Sequence, residues 1–215
     1  MTTAPPGPRI AVLDYGAGNV RSAARGFAAA GGNTFITDHA GRADMAEVLV
    51  IPGVGHIASC LANLRASGLQ ALLGEWIAAQ RPIFGICVGM QLLYEHSEEG
   101  DTPGLGLLPG RVRRFPDTAT VPHMGWDVVT PAAGSRDDPL LAGVAGRRAY
   151  FVHSYFAVPD DPTHVVATCD HGDAAGFPCV VREGSVVGTQ FHPEKSGEVG
   201  RRMLVNWLKT VRVSD

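Results

Sequence analysis

The stretch Phe84-Gly85-Ile86-Cys87-Val88-Gly89-Met90-Gln91-Leu92-Leu93 carries a β-rich run into an apolar helical one through the pattern G-x-C-x-G. Glycines two before and two after a reactive side chain mark a nucleophile elbow, a sharp strand-to-helix turn that lifts the side chain clear of the sheet edge. Here the nucleophile is sulfur. At a helix start, free N–H groups and the positive end of the dipole favour thiolate, the form that attacks a carbonyl carbon. The Val88 N–H would face an oxyanion formed beside that sulfur. Cys60, Cys169 and Cys179 lack glycines at this spacing and read as structural thiols.

A thiol that must expel an amine needs a base and then an acid, and one imidazole can serve both steps. Of the eight histidines, His192 stands out, 105 positions after Cys87 in Thr189-Gln190-Phe191-His192-Pro193-Glu194-Lys195-Ser196. Pro193 biases His192 toward extended backbone, where residues two apart share a side, so Glu194 can orient the ring. The order nucleophile, histidine, acid differs from that of α/β-hydrolases. No third ligand stands at a metal-binding spacing, so the reading includes neither a metal nor a cofactor. A second oxyanion donor is expected from a loop after a neighbouring strand; Pro52-Gly53-Val54-Gly55 supplies one, with the Val54 N–H as candidate.

Around these motifs the chain has 215 residues, 45% of them hydrophobic, enough for a substantial core. Its 18 basic and 21 acidic residues leave a net charge of -3 and no footprint for a nucleic-acid polyanion. No apolar run approaches the roughly 20 residues that span a bilayer. Four cysteines without a C-x-x-C pair suit a reducing compartment, so a cytoplasmic protein is expected. Residues 1–8 are expected to form a loose tail, and 9–211 a single domain. Strands are expected at 9–13, 47–51 and 82–86, with helices between them, as in a covered parallel sheet. Ile57, Leu61, Leu64, Leu72 and Trp76 form one buried helical stripe broken at Gly68. A helix is expected over 19–30. After residue 100 short strands replace helices, at 149–152, 164–168, 179–182 and 186–191, before a last helix over 196–211. Gly16-Ala17-Gly18 is not a dinucleotide loop, since Arg21 replaces the third glycine.

Taken together, G-I-C-V-G-M-Q-L-L, P-G-V-G and G-T-Q-F-H-P-E-K-S resemble the class I, triad-type glutamine amidotransferase family. Within it, Asp14-Tyr15-Gly16-Ala17-Gly18-Asn19, His123-Met124-Gly125-Trp126 and Phe151-Val152-His153-Ser154-Tyr155 resemble the glutaminase subunits of imidazole glycerol phosphate synthase. The resemblance implies a three-layer, flavodoxin-like α/β domain, with a mainly parallel central sheet and an antiparallel addition in the second half. It implies hydrolysis of glutamine through a glutamyl thioester on Cys87, with His192 and Glu194 completing the triad. The ammonia would pass to a (β/α)8-barrel cyclase in a heterodimer of histidine biosynthesis. Gly53, Gln91, Glu99, Ser154 and Tyr155 match glutamine-binding positions, with Glu95 and Glu98 as alternatives to Glu99. Asn19, Ser22, Met124, Trp126 and Lys195 match the cyclase interface. Asp127 departs from the asparagine common in the family. A glutaminase subunit for another acceptor, such as anthranilate or aminodeoxychorismate synthase, and an inactive assembly module are the competing readings.

Overall fold

The computed structural model describes residues 7–211. Strands β1 (Arg9–Leu13), β2 (Asn33–Thr37), β3 (Val48–Gly53) and β4 (Ile83–Cys87) alternate with helices α1 (Val20–Ala29), α2 (Ala40–Ala43), α3 (Ile57–Ala66) and α4 (Leu69–Ala78). A one-turn α5 (Val88–Gln91) follows, then β5 (Tyr94–Ser97), β6 (Thr102–Pro103), β7 (Leu108–Arg114), β8 (His123–Val128), β9 (Thr130–Pro131), β10 (Arg148–His153) and β11 (Tyr155–Pro159). The chain closes with β12 (Val165–His171), β13 (Ala174–Glu183), β14 (Val186–Thr189) and α6 (Gly197–Thr210).

The central sheet runs β2-β1-β3-β4-β14-β13-β12-β9. Its first five strands pair in parallel, and β13, β12 and β9 extend it antiparallel. The parallel strands are almost continuously apolar because helices cover both faces. On one face Phe27 of α1, Trp207 of α6 and Phe84 of β4 meet one another edge to face, with centroids 4.8 to 5.8 Å apart. The stripe on α3 and α4 is buried as expected, and Gly68, at φ 74°, makes the break. Two smaller sheets, β10-β8 and β11-β7-β5-β6, stand beyond the main one.

Several sequence expectations are corrected. Strand β2 was not anticipated, being a half-exposed edge strand with polar ends, and β5 to β9 and β11 were also missed. The helix expected after Cys87 is only four residues long, so its dipole is small and its free N–H groups remain the chief electrostatic contribution. Of the tail expected over 1–8, residues 1–6 lie outside those described, while the Pro8 carbonyl accepts from Asn33 N at 2.9 Å. Among the described residues no helix is long and apolar enough to cross a membrane.

The elbow is closed by backbone contact. A Cβ on Gly53 would come within 2.2 Å of Gly89 N, one on Gly89 within 1.9 Å of the Ile51 carbonyl oxygen, and one on Gly85 within 2.7 Å of Met90 Cα. Gly89→Ala should therefore force β3 and α5 apart and lower the melting temperature by more than ten degrees, or prevent folding. Gly55→Ala, at φ 93° with open space around it, should cost only about 1 kcal/mol of backbone strain. Paired thermal melts check the contrast.

Candidate active site

Cys87 closes β4 with φ 53° and ψ -117°, a left-handed backbone for a side chain with a Cβ. Such geometry costs on the order of 1–3 kcal/mol and persists only where the surroundings enforce it. Here the enforcement is the register Gly53↔Cys87 in the β3–β4 pair, with Gly85 and Gly89 letting neighbouring elements close. The same register sets Val54, the first residue after β3, immediately beyond the sulfur's level. Val54 and Val88 both line a cavity of about 280 Å³ together with Cys87.

His192 has extended backbone, but Pro193–Lys195 forms a 3-10 turn. Glu194 thus reaches the ring around a turn started by the fixed φ of Pro193, rather than along an extended segment as the sequence suggested. The contact itself is as expected: Nδ1 lies 2.8 Å from Glu194 Oε1, with both side chains buried. Nε2 is buried without an aligned hydrogen bond, and Cys87 is near enough to interact with the ring. Burial disfavours charge on His192, yet the sulfur and the carboxylate outweigh it and lift its pKa to about 10. This favours an imidazolium with a proton on Nε2.

Gln91, Glu99, Ser154 and Tyr155 also line the cavity, whereas Gly53 lies behind it, packed on Val88 and Gly89. Of the three acidic candidates only Glu99 is on the wall; its Oε2 accepts from Ile57 N at 2.7 Å. Glu98 instead accepts from Arg114 N and pairs with Arg113, and Glu95 accepts from Gly110 N. Gln91 Nε2 donates to the Tyr155 carbonyl and to Gln190 Oε1, each at 2.9 Å. Gln190, two residues before His192, is a buried polar side chain that the sequence reading did not place in the site.

The interface candidates lie on the surface near this site. Met124 and Trp126 on β8 are 66% and 48% exposed, large apolar groups facing out of the β8–β10 ribbon. Lys195 is exposed on the turn after His192. Asn19 caps α1, accepting from Ser22 N at 3.3 Å, and Ser22 shares a second cavity with Glu194.

His123 of β8 connects that ribbon to the cavity. His153, on the cavity wall, directs Nδ1 at the Tyr155 carbonyl (2.8 Å), which only accepts, so Nδ1 carries the hydrogen. Burial drives the His153 pKa down to about 3, leaving Nε2 as an acceptor. His123 Nδ1, 3.1 Å away, must then donate. A bond between His123 Nε2 and Asp127 Oδ2, at 2.7 Å, thus requires one further proton. His171 stacks on His123 with centroids 4.0 Å apart, and Arg148 lies 3.9 Å from Asp127. His123, Asp127 and His171 bring donor atoms within 4.8 Å of one another, but His123 has both nitrogens committed, and His171 Nε2 is hydrogen-bonded to the Thr120 carbonyl.

Elbow, histidine–acid pair and cavity come together at the end of a mainly parallel sheet. The chain belongs to the glutamine amidotransferase class-I family, whose family model matches residues 11–211. Within that family it falls among the HisH subunits. It is 48% identical over 210 residues to the imidazole glycerol phosphate synthase subunit HisH of Halobacterium salinarum, covering 94% of this chain and 93% of that one. To the same subunit of a Synechococcus strain it is 45% identical over 207 residues, with 94% of each chain covered. The fold is shared with a chain in the structure of PurLQS from Thermotoga maritima, at TM-score 0.73 and 20% identity, over 96% of this chain and 100% of that one.

Asp127→Asn tests the proton accounting, because an asparagine amide can donate to neutral His123 without an added proton. Burial, the largest influence, lowers the His123 pKa below 6.5, while Asp127 opposes the shift. The native wild type therefore holds more protons there than the variant as pH rises toward 6.5, and the variant gains stability over that range. The melting temperature of the variant should therefore rise relative to that of the wild type as pH increases toward 6.5, with no further change in the difference above it.

Proposed function

We propose that this chain hydrolyses glutamine to glutamate and ammonia for imidazole glycerol phosphate synthase in histidine biosynthesis. The observation that carries the reading is Cys87, raised at a strained strand end on the wall of a small cavity, beside a His192 whose far nitrogen is held by Glu194. Cys87 thiolate attacks the side-chain amide carbon, and the electron pair moves onto oxygen. The N–H groups of Val54 and Val88 are the proposed hydrogen-bond donors to that oxyanion; losing one such donor costs about 3 kcal/mol of transition-state stabilisation. As the C–N bond breaks, His192 Nε2 gives its proton to nitrogen and ammonia leaves. Water then gives a proton to the neutral imidazole and attacks the thioester carbon. The C–S bond breaks, glutamate departs, and thiolate and imidazolium are restored. Glu194 keeps the ring in the tautomer both steps need.

Glutamine would be held by three groups. Gln91 has both Nε2 hydrogens engaged inside the protein, so it offers the ligand an acceptor, Oε1. Glu99 keeps Oε1 for the α-ammonium while Oε2 holds Ile57 N. The backbone of Ser154 and Tyr155 receives the α-carboxylate, and Gly53 acts by allowing the close approach of the oxyanion loop. The exposed Met124 and Trp126, with Asn19, Ser22 and Lys195, form the face for a (β/α)8-barrel cyclase in a heterodimer, to which ammonia passes directly. Four unpaired thiols suit work in a reducing cytoplasm.

Glutamine hydrolysis should be feeble for the chain alone and rise at least about ten-fold with the barrel subunit and its nucleotide substrate. No rise with that subunit, but co-purification with a chorismate-using one, would reassign the partner. Cys87→Ala should abolish both hydrolysis and labelling by an electrophilic glutamine analogue. Glu194→Gln should keep labelling but lose about a hundred-fold or more in kcat, because the ring is no longer held in its working tautomer. An active Cys87→Ala protein would end the assignment.

A further inference from the structure

Gln190 is wholly buried between Cys87 and Gln91. Its Nε2 lies 3.5 Å from Cys87 Sγ, and its Oε1 accepts from Gln91 Nε2 at 2.9 Å. The second hydrogen of Gln91 Nε2 goes to the Tyr155 carbonyl. This chain of contacts decides the orientation of both amides. A carbonyl only accepts, so Gln91 must turn its NH2 toward Tyr155; that NH2 also meets Gln190 and requires oxygen there. Gln190 is then left with its NH2 facing sulfur. Rotating its amide by a half turn would set two donors against each other on one side and leave two acceptors, oxygen and sulfur, facing on the other.

We propose that Gln190 is a positioning residue for Cys87, donating an N–H to the sulfur and holding it as thiolate in the place where the cavity presents it. The proposal rests on the reading of Cys87 as nucleophile. A thiolate is a stronger acceptor than a thiol, so a donor fixed on the sulfur favours ionisation. Because the donor is oriented by Gln91, on the cavity wall, and through it by the Tyr155 carbonyl, the same three residues couple the sulfur to the wall where glutamine would lie. Sequence inspection misses this, since an amide 103 residues from the cysteine has no local mark of its partner.

The test is the pH profile of Cys87 alkylation by iodoacetamide in the full chain, quantified by peptide mass spectrometry, for wild type, Gln190→Leu and Gln190→Met. The midpoint should rise by about one unit in both variants, making modification about ten-fold slower below the midpoint. The limiting rate at high pH should stay within about two-fold, because access to the sulfur is unchanged. In the same variants kcat for glutamine should fall about ten-fold with KM nearly constant. Gln190→Met matches the length of glutamine and carries the test should the leucine variant not fold. An unchanged midpoint in a folded variant, whether or not its melting temperature or limiting rate drops, would overturn the proposal and reduce Gln190 to packing. The alkylation profile is read without glutamine. A shifted midpoint in a chain whose wild type hydrolyses no glutamine would therefore sink the functional reading while sustaining the role of Gln190.

Discussion

A cysteine cannot hold φ 53° without compensation, and the architecture around Cys87 supplies it. Strand β4 lies between β3 and β14, paired in parallel with both, so the chain entering the turn is fixed on two sides. At the exit, Gly89 touches the backbone of β3 and Gly53 touches the backbone of α5. These approaches are possible only because Gly53 and Gly89 carry no Cβ. The strained turn, the level of the sulfur and the position of Val54 just past the end of the neighbouring strand are thus consequences of one packing arrangement among backbones. Strain of this kind marks sites where geometry has been kept at the expense of local stability.

Two buried imidazoles near the cavity show how partners decide whether the push of burial toward neutrality prevails. Desolvation pushes both toward neutrality. His192 has a carboxylate on one nitrogen and the cysteine near the other, and its pKa rises to about 10. His153 has a backbone carbonyl on one nitrogen and another histidine on the other, and its pKa falls to about 3. One ring is thereby suited to hold a proton for a leaving amine, and the other to stay a neutral wall of the cavity.

The small sheets of the second half complete what the parallel sheet begins. Strands β10 and β11 bring His153, Ser154 and Tyr155 across the mouth of the elbow, and the Tyr155 carbonyl collects hydrogen bonds from both His153 and Gln91. On the outer side of the same ribbon, β8 exposes Met124 and Trp126. His123, next to Met124 and in register with His153, gives this outward face a buried connection to the cavity through a pair that lies 3.1 Å apart.

Much of this was legible in the residues. Apolar runs ending in glycine-rich turns marked β1, β3 and β4, because a parallel strand buried on both faces must be apolar throughout. The G-x-C-x-G spacing and the His-Pro-Glu run each carry a local geometric reason, and both contacts formed. Half-exposed or edge strands such as β2, and the short strands β5 to β9 and β11, have no such uniform pattern and were missed, whereas β10, β12, β13 and β14 carry β-branched runs that were legible. What only the tertiary structure decided is which distant groups share a site. It singled out Glu99 from its neighbours on the cavity wall, shortened the helix after Cys87 to a single turn, and brought Gln190 between the sulfur and Gln91. Those outcomes depend on sheet order and on hydrogen bonds spanning up to 103 residues, and no local spacing encodes an interaction whose partners meet only after the chain has folded.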